Sequence, residues 1–258
     1  MLYRRYVALG DSCAEGLDDP YPDGRTYRGW TDLTAAALAA AEPSLQYANL
    51  AVRGRRLDQI LAEQVPLAVA QRPDLVTLFG GGNDLLQYRY SSTARSLDTA
   101  VAALAEVART VVLFTLPDLA RLPGLRRLRT RLNQFNDLVA TVAARYGTVL
   151  VDVREDPYCD DERLYGPDRL HLGVIGHQRV AAHVLDALDV PADPSWLSPL
   201  PPAVTDPLWR KASRQWGWVR HHVYPAIHGI VRNKLVGRQP GDGFLPKRPD
   251  LAPVAELP

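Results

Sequence analysis

Apolar runs of strand length alternate with helically spaced segments along most of the chain. Residues 3–9 form the first run, and residues 45–50 a second, shorter one that holds Asn49 near its end. Residues 75–79 are apolar throughout, as in a strand buried on both faces of a parallel sheet. Runs at 111–116 and 149–153 complete a set of five. Between them lie helical patterns at 30–41, stopped by Pro43, and at 57–70, where Pro66 predicts a kink. Further helices are expected at 92–108, at 125–146 before Gly147, and at 174–188. Residues 18–27 read as a turn-rich loop. Strands and helices in this alternation predict a doubly wound α/β fold, a five-stranded parallel sheet between helical layers. Such a sheet binds ligands in the crevice beyond the carboxyl ends of its strands.

The pattern changes after residue 188. Residues 190–207 hold six prolines and read as an extended linker. Residues 208–236 look helical and aromatic-rich, with Trp209, Trp216, Trp218 and Tyr224, and Pro225 splits or kinks them. Residues 237–258 are rich in Gly and Pro and lack periodicity. The expected organisation is a main α/β domain at 1–189, a linker at 190–207 and a helical appendage with its tail at 208–258.

Length and composition fit this plan. The 258 residues, 47% of them hydrophobic, suffice for one core and an appendage. A net charge of +1 gives no protein-wide attraction for nucleic acid. Cys13 and Cys159 make neither a disulfide framework nor a zinc spacing. No run of 18 apolar residues exists, and the start runs into a strand without the features of a signal peptide, so the expectation is a soluble, cytoplasmic protein. The charge is uneven, however. From Pro207 onward nine Lys/Arg face three Asp/Glu, a net of +6, whereas residues 1–206 carry −5. The favoured expectation is that this basic segment folds back on the acidic core and buries its aromatics there, a position from which it could also roof the crevice. The alternative is membrane-surface contact through residues 208–236, or contact with a partner.

Polar residues cluster where strands end. The first strand gives Gly10-Asp11-Ser12, the second gives Asn49 and then Gly54, and the third gives Gly80-Gly81-Gly82-Asn83-Asp84. In a parallel sheet these loops converge on one rim. Ser12 follows a glycine bend at a strand-to-helix junction, which suits either a nucleophile or a plain N-cap. Near the end of the core, Asp168 and His171 stand three apart, close enough for the carboxylate to hold one tautomer of the imidazole. Taken singly, Gly54, Asn83 and Asp168 also suit turn and capping roles.

Together these blocks resemble the SGNH-hydrolase, or GDSL esterase/lipase, family. Gly10-Asp11-Ser12 matches its first block, with Cys13 where the family's short name has Leu. Asn49-Leu50-Ala51-Val52-Arg53-Gly54 matches the second, Gly81-Gly82-Asn83-Asp84 the third and Asp168-Arg169-Leu170-His171 the last. The four occur in the family's order over roughly residues 3–188, and the overall organisation looks like its actinobacterial members. The resemblance implies a flavodoxin-like, three-layer α/β/α fold and a serine esterase that forms an acyl-enzyme without metal or organic cofactor. It implies Ser12 as nucleophile, His171 as general base and Asp168 as its orienting partner. It also implies an oxyanion hole from the backbone N–H groups of Ser12 and Gly54 and the side-chain amide of Asn83. The substrate is then a small-molecule, lipid or sugar ester. A catalytically narrow or inactive binding protein of the same fold, docked through its basic segment, is the second reading.

Other residues are assigned to structure. Asp11 and Asp84 are expected to support the loops, and Cys13 to pack behind the nucleophile. His171, His177 and His183 recur every six residues, which scatters them over different helical faces, so His177 and His183 count as structural. His221, His222 and His228 lack a carboxylate or cysteine cluster, against zinc. A nucleotide-binding reading fails for want of G-x-G-x-x-G and of an acid ending the second strand. Substrate choice is expected to lie in loops 14–29, 85–95, 117–125 and 155–167. Leu85-Leu86-Gln87-Tyr88 is a candidate acyl pocket, and Arg25, Arg28 and Arg53 are candidate anion contacts.

Overall fold

A computed structural model describes residues 3–24, 26–87, 89–122, 125–202 and 207–257, with the backbone alone at 87, 120, 211, 226, 227, 230, 231 and 234. Arg25 and Tyr88, named above as candidates, lie outside the described residues. The chain opens with β1 (Arg5–Gly10), which runs into the single turn α1 (Ser12–Glu15) and then α2 (Gly29–Ala41) and β2 (Gln46–Asn49). Next come α3 (Leu57–Gln59), a π turn (Ile60–Gln64), α4 (Val65–Gln71) and β3 (Leu75–Phe79). A 3-10 segment (Gly82–Gln87) leads to α5 (Tyr90–Val107), β4 (Thr110–Phe114), α6 (Arg129–Tyr146), β5 (Val149–Val151) and α7 (Val174–Ala187). Beyond these lie α8 (Leu208–Trp218), a second π turn (Val219–Val223), α9 (Tyr224–Leu235) and β6 (Arg248–Pro253).

The strand order is β5-β4-β3-β1-β2-β6. The first five strands are parallel, in the doubly wound order expected of a flavodoxin-like sheet. The order reverses at β1: the chain steps outward to β2, then back across to β3. Right-handed crossovers therefore send α2 to one face and α3–α4 to the other. Accordingly α2 packs on α7, while α4, α5 and α6 pack in series. Trp30 of α2 meets Phe114 with ring centroids 5.0 Å apart, and Phe114 stacks on Phe79 at 4.5 Å. All five residues of β3 are buried, as its apolar run requires.

Two expectations are corrected. The sheet has six strands, not five, because β6 pairs antiparallel with β2. It comes from the tail that showed no periodicity. Pro249 and Pro253 argue against a strand in the sheet's middle, but an edge strand tolerates them because one side needs no ladder hydrogen bonds. The helix expected at 57–70 is interrupted by a π turn ahead of Pro66. The π turn before it absorbs the irregularity, and Pro66 lies in the first turn of α4, where a missing N–H costs nothing.

The C-terminal segment folds back only in part. Lys247 reaches into the core, where its Nζ lies 2.8 Å from Asp32 Oδ1 and donates to the carbonyls of Tyr27 and Arg28. Trp218 is half-buried and donates from Nε1 to the Asp168 carbonyl at 2.8 Å. Trp209, Trp216 and Tyr224, expected to be buried, are exposed. Among the described residues no helix is long and apolar enough to cross a membrane.

Candidate active site

The bend after β1 is built by exclusion. Gly10 has φ 149°, and a Cβ there would lie 2.1 Å from the Phe79 carbonyl oxygen, so no larger residue fits. The side chain of Gln64, carried inward by the π turn, satisfies the bend: Gly10 N donates to Oε1 and Nε2 donates to Gly10 O, both at 2.9 Å. Asp11 follows as the cap of α1, accepting from Cys13 N at 3.1 Å. Ser12 is thereby held at the start of α1, beside the switch point between β1 and β3.

Three side chains far apart in sequence meet there. His171 Nε2 lies 2.9 Å from Ser12 Oγ, and His171 Nδ1 lies 2.5 Å from Asp168 Oδ2. The other Asp168 oxygen accepts the backbone N–H groups of Leu170 and His171, which fixes the carboxylate in plane with its turn. Burial opposes charge on both partners. The hydrogen bond and charge of each nevertheless outweigh it, holding Asp168 below the usual carboxylate range and His171 above the usual imidazole range. Asp18 and Asp11 add to the raising of His171. Asp18, which the sequence did not single out, sits with a carboxylate oxygen within 4.8 Å of the ligand atoms of Asp168 and His171. These three groups could share a cation by distance, but both imidazole nitrogens already face Asp168 and Ser12.

The remaining expected residues are placed less uniformly. Asn83 borders the same cavity as Ser12 and His171. Its Nδ2 donates to Asp11 Oδ2 and to the Arg55 carbonyl, each at 3.1 Å. Gly54, with φ 80°, lies outside the cavity lining, under the tail at Pro240 and Gly241, where a Cβ would approach to 2.9 Å. The Asn83–Arg55 bond ties its loop to the site. Burial pushes Asp11 and Asp84 up to about 6. Both serve the loops: Asp11 caps α1, and Asp84 Oδ2 accepts Leu57 N at the start of α3.

A cavity of about 190 Å³ opens beside Ser12. Leucine is the commonest residue of its walls, with Leu85, Leu116, Leu128 and Leu164 among them. The loop after β4 is fixed by a buried amide, as the β1 bend is: Leu116 N donates to Asn136 Oδ1 and Asn136 Nδ2 to Leu116 O. Loops 85–95, 117–125 and 155–167 contribute lining residues, whereas loop 14–29 contributes none among the described residues. At one wall Asp156 is held by Arg179 and His183, at 2.6 and 2.8 Å. Burial would raise its carboxyl, yet those two bonds hold it far below the usual range. Cys13 borders the cavity instead of packing wholly behind Ser12, and burial with the nearby Asp11 charge pushes its thiol up.

Several candidates are engaged elsewhere. Arg28 pairs with Asp19, and Arg53 with Glu15. Neither lines the cavity, so neither is placed to receive an anion. His177 is buried between Trp30 N and the Leu17 carbonyl, and burial lowers it to about 4. Gln64 and Trp218, like Asp18, went unnoticed as supports of the site. A buried glutamine inside a helical pattern was the one visible signal among them.

Comparisons with known proteins bear on the family and the fold. Residues 8–179 match the model of the GDSL-like lipase/acylhydrolase family. Among solved structures, the chain is similar to LAE5, an alpha/beta hydrolase enzyme from the metagenome of Lake Arreo, Spain. The TM-score is 0.59 at 25% identity over 72% of this chain and 95% of that one. It is similar to a lipase/acylhydrolase from Enterococcus faecalis, with TM-score 0.58 at 22% identity over 74% and 98%. It shares the fold of a variant of Axe2, an acetyl xylan esterase from Geobacillus stearothermophilus, with TM-score 0.60 at 19% identity over 74% and 96%. No curated protein matches the chain. With two thirds of its residues under that family model and its strand-end loops gathered around Ser12, the chain belongs to the GDSL-like lipase/acylhydrolase family and is a hydrolase of ester bonds.

Proposed function

We propose that the chain cleaves a carboxylic ester of medium acyl length through an acyl-enzyme on Ser12. The observation that carries this is the continuous path Asp168–His171–Ser12, at 2.5 and 2.9 Å. Ser12 Oγ attacks the ester carbonyl as its proton passes to His171 Nε2. Asp168 accepts the Nδ1–H and stabilises the imidazolium. The carbonyl oxygen becomes an oxyanion that takes the backbone N–H group of Ser12 and the amide of Asn83. The N–H of Gly54, which lies outside the cavity lining, joins them once its loop, tied to Asn83 through Arg55, moves inward. Asn83 already spends both hydrogens on Asp11 and Arg55, so one of those bonds yields as the stronger, charged acceptor forms. His171 then protonates the departing alkoxide. Water, deprotonated by the same nitrogen, releases the acid in a second round.

The acyl length follows from the cavity. A leucine-lined cavity of ~150 Å³ holds a benzene-sized ligand. At about 190 Å³ this one has room for more than the two carbons of an acetyl group. The acetate ester named for Axe2 is thus a poorer fit here than a chain of about six to eight carbons. The test is hydrolysis of p-nitrophenyl esters from acetate to palmitate, with Ser12→Ala alongside. The expected profile peaks at intermediate length and falls by ~10⁴ or more in kcat with Ser12→Ala. Equal activity in the variant refutes the mechanism, and a maximum at acetate refutes the assigned acyl length.

A further inference from the structure

The helix α8 has one face pinned to the active-site turn and the other turned out. On the pinned side Trp218 donates to the Asp168 carbonyl at 2.8 Å. Arg169 donates to Gln215 at 3.0 Å and lies over the Trp218 ring at 5.1 Å. Arg214 donates to Glu162 at 3.0 Å. On the outer side Trp209 is 67% exposed and Trp216 76%. Seven residues apart, they stand two helical turns along the same stripe. Leu208 and Tyr224 are exposed beyond either end of the pair. Large aromatic surface left in water needs a reason, and tryptophan with tyrosine is characteristic of surfaces that meet a lipid interface.

Charge says which surface. From Pro207 to Gly241 the chain has seven Lys/Arg, three His and no Asp or Glu. This stretch lies beyond residue 179, where the family match ends. We propose that α8 and its continuation dock on an anionic lipid surface, with Trp209, Trp216 and Tyr224 entering the headgroup region and exposed basic groups such as Arg210 and Arg220 facing acidic lipids. The association is peripheral, since no described helix is long and apolar enough to span a bilayer. The pinned face of the same helix adjoins the cavity. Leu170, which lines it and is exposed, lies two residues from the carbonyl that Trp218 holds, and Leu86 adds a second exposed apolar group to the lining.

Docking does not depend on the chemistry proposed at Ser12, so its test reads binding alone. The full chain carrying Ser12→Ala, which leaves lipid esters intact, is floated with vesicles of phosphatidylcholine or of phosphatidylcholine mixed with phosphatidylglycerol. The expected result is flotation with the anionic vesicles only. Binding falls about tenfold in ~0.5 M salt, where exposed charges are screened. It falls by a similar factor with Trp209→Ser plus Trp216→Ser, while the thermal melt, and short-ester hydrolysis in protein retaining Ser12, stay unchanged. Binding to neither vesicle, equal binding to both, or binding indifferent to the two substitutions overturns the proposal. So does a concentration-dependent dimer that the substitutions abolish, which would make a second copy the occupant of this face.

Discussion

Three carboxylates face the imidazole of His171, yet only Asp168 is hydrogen-bonded to it. Asp18 acts through charge. Its backbone takes φ 66°, and Gly166 makes room for it: a Cβ at Gly166 would sit 2.1 Å from Asp18 Oδ2. A base must be neutral to accept the serine proton, so activity is lost as pH falls through the pKa of His171. Asp18→Asn removes one of the charges that raise that pKa, and the acid limb of kcat/KM shifts to lower pH. An unmoved limb would show that Asp18 and His171 are uncoupled. Ser12, Asn83, Asp168 and His171 were legible because each follows a recognisable strand end or turn. Asp18 was not, because its proximity arises from a left-handed residue and a missing side chain 148 positions away.

At the scale of elements, the nucleophile bend depends on a helix defect. The π turn Ile60–Gln64 places Gln64 where it can bond both backbone groups of Gly10. Gln64→Ala leaves the buried N–H of Gly10 without its partner, at about 1–3 kcal/mol, while Gly10 O keeps the N–H of Val52 at 3.2 Å. The expected result is a loss of about 1–3 kcal/mol in denaturant unfolding, together with a lower kcat as Ser12 shifts. A wild-type midpoint would remove Gln64 from this role. The periodicity of residues 57–70 announced a helix but not this turn. A π turn inserts one residue without leaving a mark in the apolar pattern, and the nearby Pro66 drew the expected irregularity to itself.

For the whole molecule, the tail is part of the core. Asp32 is buried with the hydroxyls of Tyr21 and Tyr47 donating to it, and Lys247 supplies the opposing charge. Removing one partner of such a pair costs about 3–5 kcal/mol. Lys247→Met is expected to lower stability by that amount in urea unfolding, and adding Asp32→Asn to recover part of it. If the double variant is no better than the single, the pair is not the source of the loss. The charge imbalance between the two parts of the sequence foretold that the basic segment returns to the acidic core, and Lys247 does so. It could not foretell β6, whose two prolines hide an edge strand, nor that Trp209 and Trp216 would stay outside.

The position of Lys247 also governs when the protein can be finished. A ribosome delivers the chain from its amino end at roughly 5–20 residues per second. Once α7 is complete, the five parallel strands and the Asp168–His171 turn are all present, but Lys247 is 60 residues away. For roughly 3–12 s of synthesis, therefore, Asp32 has no countercharge and the outer edge of β2 is bare. The nascent protein passes through a stage in which its catalytic groups exist before its architecture is closed, and the late-emerging Lys247 and β6 are what close it.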